Sequence, residues 1–260
     1  MKQMKNKIII ILLALITFST NILADDGDDK KGLDWYLNLG LNMGGSMPVP
    51  LPREVRKIES YNPKINPHIG ISTVYNLNRK WGVGTELSLG IKGMRVKDRV
   101  KYMQTKVLVS EKGNPNKSEV DGYFTGKNTT NVNLQYLSLS LYGIYNIGSR
   151  WEVKGGVYAA SILKSKFEGN VSDGYLRDKT PNGPIVVIEA DNPATFDFED
   201  NMRDFDAGFV VGGRYKINER IGVMVNMNLG LTDIFYRDQN PINFKMQNIY
   251  GTFGVTYKLK

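Results

Sequence analysis

FDAGFVVGGRYKINERIGVMVNMNLGLT, residues 205–232, is the stretch that decides the fold. In its second half Ile221, Val223, Val225, Met227, Leu229 and Leu231 are apolar, while Gly222, Met224, Asn226, Asn228, Gly230 and Thr232 between them are mostly small or polar. In its first half Phe205, Ala207, Phe209, Val211, Gly213, Tyr215 and Ile217 alternate with Asp206, Gly208, Val210, Gly212, Arg214 and Lys216. A period of two is the signature of a strand with one apolar face. Only Asn218–Glu219 separates the two runs, so they read as an antiparallel hairpin.

Six further segments carry the same period: 34–44, 64–77, 81–94, 132–147, 150–163 and 246–260. Most of the eight are about twice as long as strands of ordinary globular sheets. At about 3.3 Å per residue and a tilt near 40°, some twelve residues cross a hydrocarbon core. In all eight the apolar face falls on odd numbers. Glu86, Lys92, Glu152, Lys154 and Arg214 all fall on the other. Two architectures satisfy this pattern: a barrel with lipid outside and a polar filling, or a soluble barrel with an oily interior.

Three features favour lipid. The connections alternate in length: tight turns at 78–80, 148–149 and 218–219, and long polar links at 45–63, 95–131, 164–204 and 233–245. Short turns on one rim and long loops on the other are the habit of outer-membrane barrels. Trp35, Tyr75, Trp81, Tyr145, Trp151, Tyr215 and Tyr257 all lie on the apolar face near the short-turn rim, as an interfacial aromatic girdle requires. The inner face is small and polar, with charges that must pair in so narrow a space; Glu86 is expected to meet Lys154 or Arg214, with Lys92, Glu152, Asn226 and Asn228 in the same lumen network. The expected fold is therefore all-β: an eight-stranded antiparallel up-and-down transmembrane β-barrel with short periplasmic turns and long extracellular loops, plugged by its own side chains.

The N-terminus reads separately. Lys2, Lys5 and Lys7 precede an apolar run at 8–18 and a more polar stretch ending at Ala24. That is the layout of a secretory signal peptide, 1–24, since eleven apolar residues fall short of the roughly 20 of a spanning helix. Residues 25–33 are then a charged periplasmic leader without the ligand spacing of a calcium loop, and 34–260 a single barrel domain. Without the three signal lysines the chain carries 31 basic and 26 acidic residues, too even a balance to suggest nucleic acid. With no cysteine it cannot use disulfides or a lipidated cysteine.

The sequence offers little catalytic chemistry. His68 is the only histidine. With Ser72 nearby on the inner parity and no acid to nominate, it reads as a lumen hydrogen-bonding group and not as a hydrolase base. No metal or cofactor spacing is present, and the glycines at 82–84 and 212–213 sit in strands and do not open a phosphate-binding helix. Function is then expected in the loops. Arg95, Lys97, Arg99, Lys101 and Lys106 read chiefly as solvated charge, with lipopolysaccharide phosphates as the sharper alternative. Alternation persists at 96–109, so the strand is able to project above the membrane. FDFEDNMRD, residues 196–204, reads as a solvated acidic stretch, with a protein or cation as the sharper alternative.

Three stretches carry a family resemblance: LQYLSLSLYGIYNIGSRWEVKGGVYAASI (134–162), FDAGFVVGGRYKINERIGVMVNMNLGLTDI (205–234) and NIYGTFGVTYKLK (248–260). They resemble the PorT-like outer-membrane β-barrel family of Bacteroidetes-type bacteria. Ser140 stands where that family has a proline, Met227 where an aromatic is usual, and the chain ends Lys-Leu-Lys in place of a phenylalanine. The resemblance implies an outer-membrane barrel in a Gram-negative cell; the family's namesake takes part in protein secretion, a role the wider family does not carry as a whole. With eight strands, both termini are expected on the periplasmic rim. The expected function is non-enzymatic, structural or surface-binding through extracellular loops. An accessory subunit of a secretion or surface-assembly system is the alternative, and a membrane-embedded lipid-modifying enzyme a third. Expected partners are the lipid bilayer and lipopolysaccharide, with an extracellular or secretion-machinery protein as a further candidate. The barrel is expected to be monomeric and to need no cofactor.

Overall fold

The computed structural model describes residues 32–110, 117–237 and 240–260. The signal peptide expected at 1–24 and leader residues 25–31 lie outside the described residues. The strands in chain order are β1 (Leu33–Pro48), β2 (Val55–Asn62), β3 (Pro67–Asn76), β4 (Trp81–Ser110), β5 (Lys117–Ile147), β6 (Trp151–Asp178), β7 (Ile185–Ile188), β8 (Ala194–Asp197), β9 (Phe205–Lys216), β10 (Ile221–Gly230) and β11 (Met246–Lys258). Eight of them, β1, β3, β4, β5, β6, β9, β10 and β11, are the eight segments expected from alternation. Each pairs antiparallel with its neighbours, and β11 returns to β1 over the register Tyr36–Lys258 to Pro48–Met246. The sheet is a closed eight-stranded barrel.

The tight turns have local causes. The Asn78 carboxamide oxygen accepts from the backbone N–H of Lys80 (2.8 Å) and Trp81 (2.9 Å), and Asn218 does the same for Arg220 (2.9 Å) and Ile221 (2.8 Å). Asparagine bonding its own backbone two residues on is a standard turn former. Gly148 takes a φ of 66° at the third turn, a conformation that favours glycine.

Outside, the odd positions form an apolar belt: Leu39, Leu41, Ile69, Ile71, Val83, Leu89, Leu141, Val157, Phe209, Val225 and Phe253 are all exposed. Inside, the even positions are buried and mostly polar. On β4 the belt runs from Trp81 to the first outward charge at Arg95. Fourteen residues at about 3.3 Å and ~40° tilt rise roughly 35 Å, a hydrocarbon core plus its margins.

The long connections differ from the expected polar loops. Much of 95–131 and 164–204 is strand, because β4, β5 and β6, 30, 31 and 28 residues long in all, run on past the belt. β2, from the 45–63 link, adds to the outer edge of β4. β8 pairs with β6 at 168–171 and touches β4 at the Leu108–Thr195 pair, so β4, β5, β6 and β8 close a second, smaller ring. This arm has its own apolar core, including Val107, Phe124, Val132, Phe167, Val171 and Phe235. Its aromatic heart is Phe167 with Phe196, Phe198 and Phe235, ring centroids 5.0–6.3 Å from Phe167. The FDFED stretch thus buries its two phenylalanines where a solvated segment had been expected. Register shifts explain why simple alternation stops: a bulge at Val100/Met103, with Tyr102 at φ 55°, turns the buried set of β4 from even to odd numbers.

Glycine and tyrosine share the lumen. Tyr142 lies in register between Gly84 on β4 and Gly156 on β6. A Cβ on Gly156 would drive into the Leu141 carbonyl and the Tyr142 backbone. Gly156→Val is accordingly expected to cost about 1–3 kcal/mol, read as an earlier midpoint in urea unfolding from lipid vesicles; an unchanged midpoint would contradict this packing.

Candidate functional site

Three buried ion pairs fill the barrel lumen in layers. Nearest the short turns, Arg214 on β9 donates to Glu152 on β6, which also meets Lys216 at 3.5 Å, and the guanidinium lies 3.8 Å from the centre of the Tyr36 ring. In the next layer Glu86 on β4 meets Lys154 at 3.3 Å and His68 at 3.2 Å, with Lys154 over the Tyr142 ring. Above that, Lys92 meets Asp206 at 3.4 Å. It sits among the rings of Tyr136, Tyr158 and Tyr250 at 4.9, 5.1 and 5.5 Å from their centres. Asp206 also accepts from Tyr158 (3.1 Å) and Thr232 (2.7 Å).

The sequence-nominated lumen residues are therefore brought together in part. Glu86 lies against Lys154, and Arg214 takes Glu152 instead. Lys92 sits one layer up with Asp206, which sequence reasoning had not nominated. Asn226 is buried with its Nδ2 near the Met224 sulfur (3.8 Å) and its Oδ1 unpartnered, and Asn228 borders a small gap nearby. His68, for which no acid could be named, has one in Glu86. Its other ring nitrogen meets the Tyr136 hydroxyl at 3.0 Å, so both nitrogens are engaged and neither meets a serine. Ser72 instead accepts from Asn38 at 3.1 Å.

The nominated aromatics all lie at the short-turn rim. Trp81 faces Tyr145 and Trp151 faces Tyr215, each pair with ring centres 4.8 Å apart on adjacent strands. Trp35, Tyr75 and Tyr257 occupy the same rim on β1, β3 and β11.

Free space is distributed unevenly. A polar vestibule of about 680 Å³ is the open short-turn end, walled by Asp34, Arg150, Lys216 and Lys258 among others. Between the ion-pair layers the gaps are only about 30 and 20 Å³. Beyond them, in the arm, lies a cavity of about 440 Å³. Met94, Met103, Phe167, Phe196, Phe198 and Met246 are buried in its walls, and Leu51, Ile58 and Tyr61 are exposed at its edge.

Asp98 interrupts that apolar lining. It sits across from Asn128 in the β4–β5 register and accepts from the Asn128 Nδ2 at 2.9 Å. The same Nδ2 also donates to Thr130 at 3.1 Å, while the Asn128 Oδ1 has no partner. Burial pushes the Asp98 carboxyl up from 3.8 to about 6, with the Glu59 carboxylate adding to the rise against hydrogen bonds from Asn128 and its own backbone. Sequence reasoning passed over this group, although its even number among the outward Arg95, Lys97 and Arg99 was a usable signal.

A family model described as outer membrane protein beta-barrel domain matches residues 23–236. The chain belongs to that family. It is an outer-membrane β-barrel, so the belt of odd-numbered apolar side chains is its lipid face. Comparison with curated proteins finds no match. Similar solved structures include OprG of Pseudomonas aeruginosa, 11% identical with a TM-score of 0.40, covering 89% of this chain and 98% of that one. Ail, the attachment invasion locus protein of Yersinia pestis, is 8% identical with a TM-score of 0.38, covering 87% and 97%. The outer membrane protease OmpT of Escherichia coli is 11% identical with a TM-score of 0.32, covering 92% and 100%.

Two predictions follow from this geometry. Removing one member of a buried pair leaves the other charge stranded, so Glu152→Ala should destabilise the barrel by about 3–5 kcal/mol, and Glu152→Gln with Arg214→Met should recover much of that. Unfolding midpoints in lipid vesicles measure both. For Asp98, a native carboxyl titrating above its unfolded value binds a proton that the unfolded arm releases, so arm stability falls as pH rises from 3.8 through about 6. Hydrogen exchange across 95–130, corrected for its intrinsic rate, should quicken between about pH 5 and about pH 7.5, and Asp98→Asn should remove that difference.

Proposed function

We propose that this outer-membrane barrel is a non-enzymatic surface-binding protein, in which a closed barrel holds up an arm whose apolar cavity takes a ligand outside the membrane. One contrast carries the reading. The lumen between its ion pairs leaves gaps of about 30 and 20 Å³, room for a water molecule, while the arm holds an open-sided cavity of about 440 Å³ lined mainly by apolar side chains. In this reading the long connections are extracellular, the short turns and both termini are periplasmic, and the tryptophan–tyrosine ring marks the inner membrane boundary. Signal-directed export precedes assembly, and the barrel works as a monomer.

Its outer boundary is basic. Arg95, Lys97 and Arg99 on β4, Lys127 on β5, and Lys164 and Lys166 on β6 follow the lipid belt on the outward face. Arg99, Lys127 and Lys166 are paired with Glu59, Asp173 and Glu168, so the charge of Arg95, Lys97 and Lys164 is what supports contact with lipopolysaccharide phosphates. The engagement of both His68 nitrogens inside the lumen weighs against the lipid-modifying enzyme.

A second reading, an accessory subunit of a secretion or surface-assembly system, is favoured by the PorT-like likeness of 134–162, 205–234 and 248–260. Crosslinking in intact cells distinguishes it by recovering a stoichiometric partner complex.

Two measurements test the first reading. Protein in planar bilayers should show no steady conductance. In nanodiscs, the neutral fluorophore N-phenyl-1-naphthylamine should bind saturably, and Val96→Trp, which fills the cavity from its half-buried wall, should weaken binding by about tenfold or more. Steady conductance, or binding indifferent to Val96→Trp, would overturn it.

A further inference from the structure

We propose that the arm cavity selects hydrophobic amines, holding the apolar body among its methionine and phenylalanine side chains and the ammonium group against Asp98 and the Asn128 Oδ1. This rests on the reading of the cavity as a ligand site and adds the chemistry of the ligand's head.

Three observations on this group of side chains point the same way. The first is spent donor capacity. Asn128 directs its Nδ2 to Asp98 and Thr130, which leaves its Oδ1 as the remaining hydrogen-bonding function, and that oxygen is buried without a partner. A buried unpaired acceptor costs free energy comparable to a lost hydrogen bond, so a donor arriving there recovers it. The second is unbalanced charge. Among the described residues no cation pairs with Asp98. Its sequence neighbours Lys97 and Arg99 lie on the exposed face, and Arg99 is taken up by Glu59 at 2.6 Å. Every carboxylate in the lumen below has its own Lys or Arg, so Asp98 departs from the rule the rest of the interior follows.

The third is orientation. Asp98, Asn128 and Thr130 lie on adjacent positions of β4 and β5 and all border the cavity, whose remaining walls are mainly apolar. Two acceptors, the Asp98 carboxylate and the Asn128 Oδ1, in a mainly apolar chamber match a molecule with an apolar body and a donor-only head. A primary ammonium has three donors, no acceptor and the complementary charge. A carboxylate head would meet Asp98 with like charge, and a hydroxyl would satisfy the acceptor but leave the carboxylate uncompensated.

The experiment uses the full chain in nanodiscs with methyl-labelled methionine. Met94, Met103 and Met246 report on the cavity, while the exposed Met43 and Met227 face lipid and report simple partitioning. Decylamine, decanol and decanoate are titrated separately at about pH 7.5, where Asp98 is mostly ionised. The expected result is saturable shifts of the cavity methyls by decylamine at concentrations about tenfold or more below those needed for decanol, with decanoate weakest. Asp98→Asn should weaken decylamine by about tenfold and leave decanol within about twofold. Unboiled-gel mobility shows whether this variant is folded, and the head-group series on the unaltered protein stands without it. Equal affinities for the three head groups would overturn the amine assignment and leave the apolar cavity reading intact. If none of the three moves the cavity methyls, both fail.

Discussion

Closing a sheet of eight strands removes every edge, but it also sends alternate side chains of each strand into a cylinder only as wide as the side chains themselves. In a lipid-embedded barrel that interior cannot be apolar throughout without losing the contrast that orients the strands, and it cannot carry lone charges either. The solution is a stack of complete pairs, Glu152 with Arg214, Glu86 with Lys154, and Lys92 with Asp206. Tyrosine rings lie beside each cation, and glycines stand opposite the bulkiest of them. The same pairs that satisfy the charges also occlude the bore. A barrel of this kind is a support, and what it supports is built from the strands that outlast the membrane.

Strand β4 shows how one ladder serves two solvents. Within the belt its outward residues are Leu87, Leu89 and Ile91 and its inward ones Glu86, Ser88 and Lys92. From residue 94 on the outward residues become Arg95, Lys97 and Arg99, and the inward ones Met94, Val96, Asp98 and Val100. The pairing with β5 runs straight through this inversion. What changes is the medium outside. Lipid asks for an apolar exterior and tolerates a paired polar core, whereas water asks for the reverse. The arm is in effect a small water-soluble sheet protein whose strands are continuations of a membrane protein's.

That continuity explains what was legible in the sequence. Residues 205–232 display the barrel because two strands and their turn keep strict parity over 28 positions. Parity fixed the face, which narrowed the partner of Glu86 to Lys154 or Arg214; Lys154 is the one it meets, and Arg214 takes Glu152. Lateral neighbours are not encoded that way: the β3–β4 register sets His68 opposite Gly90 and Glu86 opposite Ser72, and the two meet diagonally, which a list of spacings does not reveal. The arm was harder still. Its strands begin where bulges reset the parity, and Phe196 and Phe198 lie in or just beyond a strand of four residues, too short to establish a period. The basic residues from Arg95 to Lys101 read as solvated charge and are exposed; Val96 and Asp98 between them line a cavity.

Asp98 carries the most information within that lining. The apolar core of the arm includes Val100, Val107, Phe124, Val132 and Phe167, and nothing in the sheet geometry demands a carboxylate among them. A valine at that position would match its neighbours Val96 and Val100 and spare the arm a desolvated charge. Structural need does not account for it, since Asn128, its one side-chain hydrogen-bond partner among the described residues, is itself left with an unmet acceptor. A pair of polar groups that satisfy each other incompletely destabilises an isolated fold and is understandable where a third molecule completes the set. The lumen pairs are finished within the chain, and the arm pair is not.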